Sequence, residues 1–145
     1  MNYYVPLTKT DFEAFNSWPI ETWRPCKQLG FERSEFHFCT LARTLVAAVS
    51  DGEVVKVYHA TPKDIRETSH RDNLVIRLED GIYVCYTHIL PSVHEGEKVT
   101  AQQQVGIQNN NRAYGTHSSP RRWHFHLGFY SDLEISPKRV RLKSI

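Results

Sequence analysis

Trp123-His124-Phe125-His126-Leu127-Gly128-Phe129-Tyr130 is the most informative segment of the chain. Its residues alternate in kind, and side chains of a strand alternate between faces. His124 and His126 therefore share one face, and Phe125 and Leu127 share the other. Two imidazoles about 7 Å apart on one strand can converge on a single metal or substrate. They can equally be two hydrogen-bonded histidines on a wet sheet face, so the pair gains meaning only from its surroundings.

The segments before it in the chain keep a β pattern. Leu74-Val75-Ile76-Arg77-Leu78 leads through Glu79-Asp80-Gly81 into Ile82-Tyr83-Val84-Cys85-Tyr86-Thr87-His88. An Asp-Gly turn between two such runs predicts a hairpin. Leu45-Val46-Ala47-Ala48-Val49, Ser50-Asp51-Gly52 and the run from Val54 to Tyr58 predict another in the same way. Val93, Gly96, Val99, Val105 and Gly106 mark short extended segments with turns. Residues 60–73 and 108–122 are polar and loop-like. Residues 1–30 are punctuated by Pro6, Pro19, Pro25 and Gly30, and Trp18, Ile20 and Trp23 read as an apolar arm wrapped over a core. The end of the chain, with Lys138, Arg139, Arg141 and Lys143 around Val140 and Leu142, reads as a terminal strand with solvated charges. The expected architecture is a mostly-β single domain: an arm over 1–35 packing on a β domain over 36–145.

The 145 residues suit one domain, and a chain of that length buries roughly two-thirds of its unfolded surface. Lys and Arg number 18 against 16 Asp and Glu. A net charge of +2 makes nucleic acid an unlikely partner. No basic leader with an apolar run opens the sequence and no membrane span is present, so a cytoplasmic or phage-encoded setting is expected. Three cysteines without a C-x-x-C pair argue against a disulfide framework. Cys26 and Cys85 read as buried thiols. The eight histidines are the unusual component, because histidine is both the commonest metal ligand and a frequent general base.

The ordered pieces resemble the lysostaphin-type zinc endopeptidases. That family carries a hairpin, a Tyr-x-His-Leu strand end, a Val-x-x-Gly-x-x-Val turn, a Gln-x-Ile-Gly strand, a polar loop and then His-Leu-His-Phe. Here they read Tyr86-Thr87-His88-Ile89, Val93-His94-Glu95-Gly96-Glu97-Lys98-Val99, Gln104-Val105-Gly106 and His124-Phe125-His126-Leu127. Val46-Ala47-Ala48-Val49-Ser50-Asp51-Gly52-Glu53-Val54 resembles the family's preceding hairpin. The likeness covers roughly residues 36–137. It implies an antiparallel β-sheet or sandwich of the lysostaphin-type metallopeptidase fold, a zinc cofactor, and hydrolysis of peptide cross-links in bacterial cell wall.

Carried over residue by residue, the resemblance makes His126 and His37 metal ligands and His88 and His124 catalytic. The family's H-x-x-x-D ligand pair departs here, because its Asp position falls on Leu41, which cannot bind a cation. Cys39, two residues from His37, is a substitute third ligand if that segment is a strand; a buried thiol is the other reading. The family's Gly/Thr-rich loop before H-x-H gives way to a longer polar loop ending Pro120-Arg121-Arg122-Trp123. Two functions follow. One is a zinc-dependent endopeptidase. The other is a metal-less binding protein of the same fold, whose His-lined groove with Arg121, Arg122 and Trp123 at its rim takes a small anionic ligand, a cell-wall peptide or a protein partner. His59, His70, His94 and His117 match no family position and read as surface or locally bonded histidines.

Overall fold

The computed structural model describes residues 3–4, 6–7, 20–28, 31–39, 44–59, 72–108, 124–131 and 142–143. Among the described residues there are twelve strands and no helix. They are β1 (Tyr3–Tyr4), β2 (Ile20–Gln28), β3 (Phe31–Cys39), β4 (Leu45–Ala47), β5 (Gly52–Val57), β6 (Asp72–Leu78), β7 (Tyr83–Thr87), β8 (Ile89–Pro91), β9 (Lys98–Val99), β10 (Gln104–Gln108), β11 (His124–Tyr130) and β12 (Leu142–Lys143). Seven of them form one antiparallel sheet in the order β2-β3-β11-β7-β6-β5-β9. A three-stranded sheet, β4-β10-β8, faces it, and β1 pairs in parallel with β12.

The expected alternation of the His-Phe-His strand is what the structure shows. Phe125, Leu127 and Phe129 lie in the main core with Phe36 and Phe38 of β3, Val84 and Tyr86 of β7, and Leu74, Ile76 and Leu78 of β6. Val46, Ile89 and Val105 of the smaller sheet close this core from the other side. Phe38 stacks on Phe125 at 5.3 Å and Phe36 meets Phe129 edge-on at 6.1 Å, both favourable aromatic arrangements. The opposite face of the large sheet is also covered at its centre, where Val75, Cys85 and Tyr130 are buried together. The buried Cys85 thiol is as the sequence predicts.

The hairpin at Asp80-Gly81 forms as predicted. Gly81 N donates to Leu78 O, Leu78 N donates to Ile82 O, and Ile82 N donates to Asp80 Oδ1 at 3.0 Å. Gly81 has φ +85°, a left-handed conformation in which glycine carries no Cβ penalty.

The segment at Ser50-Asp51-Gly52 differs from its prediction. It joins two sheets rather than two neighbouring strands, since β4 pairs with β10 while β5 pairs with β6 and β9. The reason is long-range. Ala48 exchanges hydrogen bonds with Gln102 and Gln103, and Asp51 Oδ1 accepts from Ala101 N at 2.7 Å. The chain is thus held to the 100–104 segment before it crosses. Gly52 makes the crossing possible, because a Cβ there would lie 2.6 Å from Arg77 O.

Residues 20–28 also differ from the loop-rich reading of the first thirty residues. They form β2, paired along its length with β3 from Ile20 opposite Cys39 to Gln28 opposite Phe31. Pro25 is compatible with this because β2 ends the sheet order, and an edge strand has amide positions without a ladder partner.

Candidate functional site

The site is built at the centre of the large sheet by β3, β11 and the end of β7. The register places His37 directly opposite His126, and Cys39 opposite His124. On the other side, His126 lies opposite Thr87, and His88 follows Thr87 as the chain leaves β7. The sequence order of these residues is scattered over 90 positions, yet the ladder brings them into adjoining rows.

This register is strongly fixed. The alternate row, Phe36 opposite Leu127 and Phe38 opposite Phe125, is buried in the core. A slip of one residue would exchange the two rows and drive imidazoles into that core.

His126 and His88 are both 2% exposed. Their rings meet edge to face, with centroids 4.7 Å apart and an interplanar angle of 85°. His88 reaches this position through an uncommon backbone conformation, with φ +68°. Left-handed φ at a non-glycine residue is unfavourable and persists where surrounding contacts over-determine it. Asn73 supplies those contacts. Its Oδ1 accepts from His88 N at 2.8 Å and from Ile89 N at 3.2 Å, and its Nδ2 donates to Tyr58 O at 3.1 Å. Tyr58 N in turn donates to Asn73 O. Asn73 falls at the end of the polar 60–73 stretch, and no local sequence signal connects it to His88; the bond spans fifteen residues.

Tyr86 stabilises the strand just before the site. Its hydroxyl donates to Ala47 O and accepts from Val49 N, each at 3.2 Å. These bonds tie β7 of the large sheet to the β4 end of the small one. Complete burial pushes the phenol well above its ordinary range, so it stays protonated and able to donate.

Of the predicted site residues, the structure brings His88 and His126 into ring contact and gives His37, Cys39 and His124 neighbouring register positions. Arg121, Arg122, Trp123 and Leu41 lie outside the described residues, as do His70 and His117. His59 and His94 are exposed, as surface histidines were expected to be. Among the described side chains no group of three or more His, Cys, Asp or Glu converges. The donor chemistry nonetheless fits zinc in kind, since imidazole nitrogen and thiolate sulfur are its usual ligands.

A cavity of about 580 Å³ lies elsewhere, between hairpin ends at the β9 side of the sheet. Asp51, Glu53, Arg77, Glu79 and Lys98 line it. Its charges mix both signs, and the Arg77–Glu53 pair at 3.7 Å is about half exposed, an arrangement typically contributing under about 1 kcal/mol. The histidine rows, which combine burial with convergent polar groups, are the better candidate.

No protein-family model matches the sequence, and no curated protein matches it. Solved structures do match in fold. A zinc-containing peptidase from Vibrio cholerae superposes with a TM-score of 0.63 at 17% identity, over 99% of this chain and 41% of its own. The catalytic domain of the antimicrobial peptidase lysostaphin from Staphylococcus simulans gives 0.53 at 19% identity, over 78% of this chain and 77% of its own. The SpoIIQ–SpoIIIAH pore-forming complex gives 0.58 at 19% identity, over 94% and 87%. The chain spans 41% of the Vibrio peptidase and 47% of whole lysostaphin. These likenesses define the class: a mostly antiparallel β protein with the lysostaphin-type peptidase fold.

Proposed function

We propose that this chain is a peptidase of the lysostaphin type that hydrolyses a peptide bond in a bacterial cell-wall cross-link with one zinc ion. The observation that carries the reading is the buried His88–His126 pair at 4.7 Å, with His37 in register opposite His126. His37 and His126 would hold the metal. Cys39, opposite His124 and two positions from His37, would be the third donor where the family carboxylate is replaced by Leu41. Zinc, when bound, would polarise the scissile carbonyl and bring the pKa of a water toward about 7.

The protein's own groups supply the rest. His88 and His124 would orient the attacking water, accept its proton and donate to the developing oxyanion. The deep burial of His88 and His126 keeps bulk water from screening those interactions. Arg121, Arg122 and Trp123, immediately before His124, would grip the anionic part of the substrate. Elemental analysis of protein purified without chelator, together with a cleavage assay on cell-wall peptides, tests the reading. Near-stoichiometric zinc and cleavage are expected; no zinc and no cleavage would sink it.

The second reading is a metal-less binding protein. Leu41 at the carboxylate position favours it, as does the fold's occurrence in a pore-forming complex that covers nearly all of this chain. Its expected outcome is saturable binding of a cell-wall peptide or small anionic ligand by calorimetry, without turnover and unchanged by chelator.

A further inference from the structure

We infer that Asn73 is the positioning residue of the site, an amide clamp that holds His88 against His126. The inference rests on the peptidase reading for its catalytic consequence, but its structural content stands apart from that reading. His88 has φ +68°, a conformation that an L residue does not hold without help. The backbone amides of His88 and Ile89 both donate to one atom, Asn73 Oδ1, at 2.8 and 3.2 Å. The other half of the same side chain is used as well, because Nδ2 donates to Tyr58 O at 3.1 Å. Asn73 is 5% exposed, so its amide is held by these bonds rather than by solvent.

The clamp works through chain direction. β7 ends at Thr87, which lies in the large sheet opposite His126, and β8 begins at Ile89 in the small sheet. His88 is the single residue between them. An extended conformation at this position would carry the chain onward along β7. The left-handed turn at His88 instead lets the chain change sheets while the imidazole remains beside His126, at 4.7 Å. Asn73 touches neither imidazole in the hydrogen bonds described. It fixes the two amides that bracket the turn, and so the direction from which the His88 ring approaches.

Two variants and the native protein test this. Asn73→Ala deletes the acceptor, whereas Asn73→Asp keeps an oxygen for both amides but loses the bond to Tyr58 O and sets a second carboxyl oxygen against that carbonyl. In N73A the cross-ring nuclear Overhauser contact between His88 and His126 should disappear while zinc content stays as in the native protein. Turnover of a cell-wall peptide should fall about 100-fold, as expected for a misplaced proton-transfer group, with KM changed by less than about twofold. N73D, which keeps the acceptor at the cost of that repulsion, should restore the ring contact and part of the turnover lost in N73A.

In the native protein the His88 and Ile89 amides should exchange slowly with solvent. Survival of the ring contact in N73A, or amide exchange at the rate of an unstructured peptide, would overturn the inference. If N73A does not fold, the N73D contact and the native exchange rates decide it. If the native protein cleaves no peptide, the peptidase reading fails, and the ring contact and exchange rates still decide the role of Asn73.

Discussion

At the scale of single residues, the proposed division of labour between the two buried histidines is open to separation. His126 is a proposed metal ligand and His88 a proposed proton-transfer group. Substituting His88 by Ala should leave zinc content intact and reduce turnover by roughly 10²- to 10⁴-fold, the usual contribution of a general acid or base. Substituting His126 by Ala should remove both. Elemental analysis and steady-state kinetics on the same preparations distinguish the two. The tyrosines give predictions that do not depend on function. Tyr86→Phe strips the donor from Ala47 O and the acceptor from Val49 N, both buried, which should cost about 1–3 kcal/mol in denaturant unfolding.

Tyr3 and Tyr86 also contribute to the loss of stability at alkaline pH. Burial, followed by the hydrogen bond to Asp80, pushes Tyr3 up to about 12 from its ordinary 10, and burial pushes Tyr86 up further. The folded state therefore keeps protons that the unfolded chain has released. Stability from this source is intact below pH 10 and declines as pH rises through the raised values. Thermal unfolding followed at pH 9, 10 and 11 should show it, and Tyr3→Phe should make the decline shallower.

At the scale of elements, two Asp-Gly sequences that look alike behave differently. Asp80-Gly81 needs only local bonds, between Leu78 and Ile82 and to Asp80 Oδ1. Ser50-Asp51-Gly52 is set by distant bonds, Ala101 N to Asp51 Oδ1 and the exchange of the preceding Ala48 with Gln102 and Gln103, which local pattern cannot foresee. Substitution by Ala should expose the difference. At Gly81 nothing lies within 4 Å of a new Cβ, and the penalty is the left-handed φ alone, about 1–2 kcal/mol. Asn there should cost less, because it tolerates this region. At Gly52 a Cβ meets the Arg77 carbonyl at 2.6 Å and Ile76 Cγ2 at 2.8 Å, so the β5–β6 pair must move. That replacement should cost at least as much, about 1–3 kcal/mol, and should disturb amide shifts across β5 and β6. Pro25 teaches the converse: a proline that reads as punctuation is accommodated in β2 because that strand lies at the end of the sheet.

At the scale of the whole molecule, the histidine rows sit on a sheet whose reverse face is packed with Phe36, Phe38, Phe125, Leu127 and Phe129. A ligand held by residues from β3 and β11 would tie together two strands that adjoin only through that sheet. It would bind the folded state in preference to the unfolded one and raise the melting temperature with its concentration. Adding zinc to metal-depleted protein should thus raise Tm, and a chelator should lower it; an unchanged Tm in both directions would count for the metal-less binding protein.

How much of this could be read beforehand follows from the range of the forces involved. Alternation along 123–130 identified the strand and its apolar face, because that depends only on neighbouring residues and a period of two. The order of Tyr-x-His, the Val-Gly-Val turn, Gln-Val-Gly and His-x-His pointed to the fold, since each piece is a local element with a recognisable pattern. The register of His37 against His126, the use of β2 as a strand, the crossing at Gly52 and the link from Asn73 to His88 were beyond its reach. Each is a hydrogen bond or ladder between distant parts of the chain, and such bonds exist only once burial of the shared core has fixed which strands lie side by side.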